Sequence, residues 1–117
     1  MRILLTGANG YVGRRLLPEL LSQDHEVICC VRDKNRLGLD KTTLEKITIW
    51  EVDFLHSINL NNLPEKIDVA YYLIHSMTSS TSDFDVMEGK SAHNFNLYMY
   101  EIGVKQVFYL SGIVNYS

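Results

Sequence analysis

The sequence predicts a doubly wound α/β fold, in which helices cover both faces of a parallel sheet of about five strands. Short, continuous apolar runs alternate along the chain with stretches whose apolar residues recur at helical spacing. Strands buried on both faces have such runs, and their alternation with helices is typical of a parallel sheet. With 117 residues, of which 46% are hydrophobic and 21% charged, the chain has the size and composition of one globular domain.

Five apolar segments are predicted to form the strands. Right-handed crossovers between parallel strands arrange them in the order 3-2-1-4-5. Ligands of such sheets bind at the carboxyl ends of the strands where the direction of winding reverses, which here is between strands one and four. In chain order the predicted strands are Ile3–Leu5, Glu26–Val31, Ile47–Val52, Asp68–Ile74 and Gln106–Leu110.

The helices are predicted from apolar residues spaced three and four positions apart. One helix follows the first strand, and a long one precedes the last strand and ends at Gly103. Between the second and third strands, the polar segment from Asp33 to Glu45 predicts a short helix with a loop. The apolar positions are Val12, Leu16, Leu17, Leu20 and Leu21 in the first helix, and Phe84, Met87, Phe95, Tyr98, Met99 and Ile102 in the long one.

Charge and hydropathy exclude several classes of protein. The formal net charge is −3 and no cluster of Lys or Arg stands out, so a nucleic-acid partner is not expected. No apolar stretch approaches the ~18 residues of a membrane span. The apolar start of the chain is too short for a signal peptide. We therefore expect a cytoplasmic protein without a membrane partner.

The cysteines and histidines predict neither a disulfide nor a metal site. Cys29 and Cys30 are adjacent, and adjacent residues do not easily close a disulfide. Neighbouring side chains on a strand point to opposite faces, so we expect two buried, reduced thiols. The four histidines do not have the spacing of metal ligands; they are His25, His56, His75 and His93.

A glycine-rich turn joins the first strand to the first helix. Gly7, Gly10 and Gly13 have the spacing G-x-x-G-x-x-G. This pattern, between a strand and a helix, is typical of the Rossmann-type dinucleotide-binding turn, in which the backbone approaches a pyrophosphate at the helix N-terminus. The alternative is a plain turn that needs glycines for its own geometry. The neighbouring residues of the same candidate site are Asn9, Tyr11 and Val12.

The residues after the second strand predict the choice between NAD and NADP. NAD-binding sites usually place an acidic residue there, which binds the ribose 2′-hydroxyl. Arg32 is the first polar residue after this strand, and a guanidinium can bind a 2′-phosphate. Asp33 follows and could replace it, and Arg32 could also be a solvated side chain of a polar loop. We favour NADP, with NAD as the alternative.

Thr-Gly-Ala-Asn-Gly-Tyr-Val-Gly at residues 6–13 and Cys-Val-Arg-Asp at residues 30–33 resemble the atypical short-chain dehydrogenase/reductases. The similar members are the NmrA-like and NAD(P)H-binding proteins, often described as nucleoside-diphosphate-sugar epimerases. Val52-Asp53-Phe54 is similar to the family's segment after strand three, and residues 72–77 and 107–112 are similar to the ends of strands four and five.

The resemblance implies roles for several further residues. Asp53 and Phe54 would contact the adenine, and Ile74, His75 and Ser76 would lie on the nicotinamide side. Ser111 matches the family's catalytic-side serine. Each residue also has an alternative, purely structural role. These roles are an Asx turn for Asp53, hydrogen bonding to the backbone of its loop for His75, and capping of the following turn for Ser76 and Ser111.

The sequence departs from the family pattern in one motif and in its length. The usual catalytic pair Tyr-x-x-x-Lys does not occur, and the chain ends at Ser117, just after the fifth strand. We therefore expect the N-terminal, cofactor-binding part of a longer oxidoreductase or epimerase-like protein. A non-catalytic, NADP-binding regulator of the NmrA type is the alternative. The substrate is not predicted, and a homodimer through the long helix or the fifth strand is expected.

Overall fold

The computed structural model describes residues 1–56, 58–73 and 82–109. It contains five strands, three α-helices and a short 3₁₀ turn. In chain order these are β1 (Arg2–Thr6), α1 (Tyr11–Ser22), β2 (Glu26–Val31), the 3₁₀ turn Lys34–Arg36, α2 (Lys41–Leu44), β3 (Thr48–Glu51), β4 (Val69–Tyr72), α3 (Ser82–Ile102) and β5 (Gln106–Tyr109).

The strands form one parallel sheet in the order β3-β2-β1-β4-β5. The predicted fold class and strand order are confirmed. Strand β2 has the predicted bounds, and β5 begins at the predicted residue. The ends of β1, β3 and β4 differ from the predicted ones by one or two residues, since pairing as well as apolar character determines where a ladder stops. For example, β3 is four residues long because it pairs with β2 only from Ile28 to Val31.

Each face of the sheet is buried under a different helix. Leu4, Cys30 and Tyr72 belong to a core cluster with Phe95 and Tyr98 of α3. The opposite faces of the same strands pack in a second cluster under α1. The buried members of that cluster are Ile3, Leu5, Ala8, Leu17, Leu20, Val27, Cys29 and Leu37. The two-sided burial explains why the strands are continuously apolar.

The adjacent cysteines lie on opposite faces, as the strand geometry predicted. Both thiols are free and buried. Burial raises the pKa of Cys29 to about 12. It also raises the pKa of Cys30 well above its ordinary value of 9.0, with a smaller contribution from Cys29. The thiols are therefore held in the neutral form by the core.

Thr6 bridges the ends of the two central strands. Its buried hydroxyl donates to the carbonyl of Tyr71 at 2.9 Å and accepts from the backbone N–H of Leu73 at 3.0 Å. These bonds extend the pairing of β1 with β4 past its last residue pair, Thr6 and Tyr72. The side chain therefore fixes where the chain leaves β4 relative to the end of β1.

The bridge can be tested by replacing Thr6 with the isosteric, apolar Val. Loss of the hydroxyl leaves the Leu73 N–H without this acceptor, so we expect a loss of about 1–3 kcal/mol in the free energy of unfolding. Faster exchange of the Leu73 amide with solvent should accompany it. Thr6→Ser is the control, because it keeps the hydroxyl. Equal amide exchange in both variants would contradict the proposed bridge.

The buried thiols predict a pH dependence of stability. Unfolded thiols ionise near their ordinary pKa of 9.0, whereas Cys29 in the folded chain ionises near 12. Their contribution is complete below pH 9.0 and is lost as the pH rises toward 12. The free energy of unfolding, measured with urea, should fall across this range. The fall should be smaller in the double variant Cys29→Ala, Cys30→Ala. The prediction is refuted if the free energy of unfolding depends on pH in the same way in this variant and in wild type.

Candidate functional site

The candidate site lies at the carboxyl edge of the sheet, where four parallel strands end side by side. Thr6 of β1 is level with Cys30 of β2 and with Tyr72 of β4. Cys30 is in turn level with Trp50 of β3. The glycine turn, Arg32 and the segment that contains Asp53 therefore all follow strands that end at this edge.

Gly7 begins the turn in a conformation that favours glycine. Its φ angle is +74°, in the left-handed region. A Cβ there would lie 3.3 Å from the carbonyl carbon and the Cβ of Leu73. A side chain would be strained and also crowded against the start of the β4–α3 connection. The hydrogen bond from Leu73 to Thr6 and the close approach of Gly7 thus both restrict the position of Leu73.

Gly13 lets α1 approach the turn closely. A Cβ at this position would lie 2.0 Å from the carbonyl oxygen of Gly7 and 2.8 Å from the Cα of Ala8. These neighbours are backbone atoms that cannot move aside like the end of a flexible side chain. The third glycine of the motif is therefore required by the packing of α1 on the turn.

Gly10 is the N-cap of α1. Its N–H donates to the carbonyl of Gly7 at 3.0 Å, and its carbonyl accepts from the N–H of Arg14 at 2.9 Å. A helix leaves the N–H groups of its first turn without intrahelical acceptors, and Gly10 has no side chain with which to cap them. The first turn also has no acidic residue. This end of α1 is suited to bind an anion.

Two arginines of α1 contact residues of the turn. The Nε of Arg14 donates to the carbonyl of Asn9 at 2.9 Å. The guanidinium of Arg15 lies 4.0 Å from the ring centroid of Tyr11, whose side chain is exposed. The hydrogen bond ties the turn to α1, whereas the cation–π contact joins two residues of α1 itself. Both arginines bring positive charge close to the turn.

The segment after β2 presents a basic residue next to an acid that is already engaged. Arg32 is exposed and follows the last residue of β2. Asp33 caps the 3₁₀ turn, since its Oδ1 accepts from the N–H of Asn35 at 3.0 Å. Glu51 of β3 accepts from the N–H of Lys34 at 2.9 Å. Two carboxylates therefore hold the loop that carries Arg32.

Asp53 forms the Asx turn that the sequence left open as an alternative role. Its Oδ1 accepts from the N–H of Leu55 at 2.9 Å, and its backbone carbonyl accepts from the N–H of His56 at 3.1 Å. Its Oδ2 lies 3.3 Å from the Nε2 of His56. The carboxylate is held in one orientation by this turn.

The side chain of Phe54 is part of the core. It is 5% exposed and makes edge-on contacts with the rings of Trp50, Phe95 and Tyr98. Its ring thus anchors the segment after β3 under α3. Any contact between this residue and a cofactor would come from its backbone.

Four of the predicted site residues lie outside the described part of the chain. They are Ile74, His75, Ser76 and Ser111. Sequence reasoning also missed three residues that shape the edge, namely Thr6, Arg14 and Asn94. A small polar residue at the end of the apolar run of β1 was the only signal that could have singled out Thr6.

Within the described ranges, no group of three or more His, Cys, Asp or Glu side chains could hold a metal ion. In the same part of the chain, none of the helices combines the length and the apolar character that a membrane span requires.

The model of the NAD-dependent epimerase/dehydratase family matches residues 3–116. The chain belongs to this family. Membership confirms the resemblance to the epimerase-like dehydrogenases and supports a nicotinamide dinucleotide as the cofactor.

One curated protein is similar to part of this chain. dTDP-6-deoxy-L-talose 4-dehydrogenase (NAD(+)) of Aggregatibacter actinomycetemcomitans is 52% identical over 33 residues, which are 28% of this chain and 12% of that protein. The local match is therefore strong but short.

Solved structures of similar fold cover almost the whole chain. A Bacillus halodurans protein assigned to the NAD-dependent epimerase/dehydratases has a TM-score of 0.75 at 24% identity, over 97% of this chain and 52% of that one. Gre2 from Candida albicans, solved with NADPH, has a TM-score of 0.74 at 16% identity, over 93% and 36%. UDP-N-acetylglucosamine 4-epimerase from Bacillus cereus has 0.73 at 19% identity, over 100% and 40%. The chain thus spans about half or less of these proteins and shares their fold.

The packing of α1 on the turn predicts opposite effects of alanine at two helical glycines. Gly13→Ala should lower the free energy of unfolding by about 1–3 kcal/mol, because the new Cβ meets backbone atoms. Gly89→Ala, where a Cβ meets nothing within 4 Å, is the control. It should raise stability by roughly 0.5–1 kcal/mol. Urea unfolding measures both changes, and a neutral Gly13→Ala would contradict the packing argument.

Proposed function

We propose that this chain is the NADP(H)-binding part of an oxidoreductase or sugar-nucleotide epimerase-like protein. The observation that carries the proposal is the glycine turn. Gly13 is required for the close docking of α1, Gly7 for the left-handed turn beside Leu73, and Gly10 keeps the helix N-terminus clear of side-chain atoms. Membership of the epimerase/dehydratase family supports the same cofactor class.

The pyrophosphate would bind at the first turn of α1. A Cβ at Gly10 would meet only the Gly7 carbonyl oxygen within 4 Å, so glycine there keeps the surface open to a ligand. The N–H groups of Tyr11, Val12 and Gly13 are then the donors for phosphate oxygens, and Asn9 lies beside them. The charges of Arg14 and Arg15 favour an anion at this position.

The 2′-phosphate of NADP would bind Arg32. The exposed guanidinium directly follows β2, where the preference between the two dinucleotides is set in this fold. Asp33, the competing residue, already uses one carboxylate oxygen to cap the 3₁₀ turn. Gre2, a neighbour in fold, binds NADPH, whereas the curated relative is an NAD(+) enzyme. Arg32 is therefore the feature of this chain that favours NADP over NAD.

The two ends of the dinucleotide would contact the segments after β3 and β4. Asp53 would accept a hydrogen bond from the adenine amino group, with the backbone of Phe54 beside it. On the nicotinamide side we propose Ile74, His75 and Ser76, and we propose Ser111 as the residue toward a substrate. A bound nicotinamide supplies hydride transfer, and the protein supplies binding and orientation.

The alternative function is an NADP-binding regulator of the NmrA type. Tyr-x-x-x-Lys, the catalytic pair of the family that the sequence resembles, does not occur in residues 1–117. Both functions require the same dinucleotide site. They differ in turnover. A reductase consumes NADPH when a carbonyl substrate is added, an epimerase converts a nucleotide sugar with no net change in the dinucleotide, and a regulator does neither. A cytoplasmic location and a homodimer, with no nucleic-acid or membrane partner, are proposed for either function.

Parallel fluorescence titrations with NADPH and NADH test the cofactor. We expect tighter binding of NADPH, and Arg32→Ala should weaken it by roughly tenfold to a hundredfold, the range of a charge-assisted hydrogen bond. The affinity for NADH should change little, because NADH has no 2′-phosphate.

Lys34→Ala is the matched control, since it removes the same charge from the same loop two residues away. It should change neither affinity by more than about twofold, as expected of an exposed charge screened by solvent. Equal weakening of NADPH and NADH by Arg32→Ala would reject the role of Arg32. If neither dinucleotide binds the wild-type chain, the proposed function itself fails.

A further inference from the structure

A buried asparagine of α3 holds the loop that follows β3. The side-chain Nδ2 of Asn94 donates to the carbonyl of Phe54 at 2.6 Å and to the carbonyl of His56 at 3.1 Å. The residue is 9% exposed and lies 38 to 40 positions farther along the chain than its acceptors. One amide group therefore fixes two carbonyls of a distant loop.

The two carbonyls that Asn94 holds belong to the turn that orients Asp53. Phe54 directly follows Asp53, and His56 closes the turn by donating its N–H to the Asp53 carbonyl. The ring of His56 also contacts the Asp53 carboxylate. Loss of the amide would let this turn relax, and the direction of the Asp53 carboxylate would change with it.

A second residue of α3 holds the same loop farther from Asp53. The hydroxyl of Tyr98 accepts from the N–H of Asn59 at 2.9 Å, six residues after Asp53. Its ring packs edge-on against Trp50 and Phe54. Asn94 and Tyr98 both join α3 to the loop after β3, but at different distances from Asp53. Substitution of one residue at a time therefore separates the effects of the two contacts.

We propose that Asn94 is a positioning residue for recognition of the adenine. It acts through the carbonyls of Phe54 and His56 to keep the carboxylate of Asp53 aimed at the adenine amino group. The inference rests on the proposed function, because it assumes that a dinucleotide binds with its adenine at the loop after β3. By this inference, a residue of α3, which lies outside the binding loops, contributes to ligand selectivity.

The test compares each dinucleotide with its deamino counterpart, in which hypoxanthine replaces adenine. The probes are NADPH and NADH with their hypoxanthine analogues, and the readout is the ratio of the two dissociation constants for the more tightly bound pair. Wild type should prefer adenine by about tenfold or more, because the carboxylate loses a donor and faces an oxygen in the analogue. Asn94→Leu, nearly isosteric and without donors, should bring this ratio close to one.

Tyr98→Phe is the matched control. It removes one hydrogen bond to the same loop and keeps the ring, so it should reduce stability while the adenine preference stays as in wild type. Asn94→Ser is the second variant should Asn94→Leu fail to fold, because its hydroxyl is too short to reach both carbonyls. It should show the same loss of preference.

Each outcome decides the inference. A full adenine preference in a folded Asn94 variant overturns it, as does an equal loss of preference in Tyr98→Phe. A wild-type chain that binds both bases equally also overturns it, although dinucleotide binding would stand. A wild-type chain that binds no dinucleotide removes the proposed function, and this inference with it.

Discussion

Helix α1 docks closely on the turn after β1 because Gly13 has no side chain, and that turn takes its conformation because Gly7 has none. A side chain at Gly13 would overlap the Gly7 carbonyl, and a side chain at Gly7 would be strained and crowded against Leu73. The helix N-terminus therefore lies directly at the carboxyl edge of the sheet. Every other feature of the candidate site is arranged around this position, because the anion-binding end of a helix acts only over its first turn.

Hydrogen bonds connect the neighbouring elements to the turn between β1 and α1. Thr6 joins the end of β1 to Leu73, so the chain that leaves β4 is held beside the residue where the turn begins. Arg14 and Gly7 hold the two ends of the Asn9–Gly10 peptide, whose carbonyl and N–H they bind. A turn held in this way needs little reordering when a ligand binds, which favours affinity.

The far side of the site is held by α3 as well as by the Asx turn of its own loop. The described residues between β3 and β4, 52–56 and 58–68, form no helix or strand, yet two carbonyls and one N–H of this loop are bound by Asn94 and Tyr98. The ring of Phe54 anchors the same loop in the core cluster under α3. The same helix therefore packs the core and orients the carboxylate of Asp53, the proposed adenine acceptor.

The sequence by itself determined the strand order, the glycine turn, the Arg32 position and the opposite faces of Cys29 and Cys30. These features depend on local periodicity, on residue type and on the handedness of crossovers, which are all readable along the chain. Only the tertiary structure decided the Thr6 bridge, the burial of the Phe54 ring and the hold of Asn94 on the loop after β3. The hydrogen-bond partners of Thr6 and Asn94 lie 38 to 67 residues away, so which donor meets which acceptor is settled only when the sheet and its helices pack.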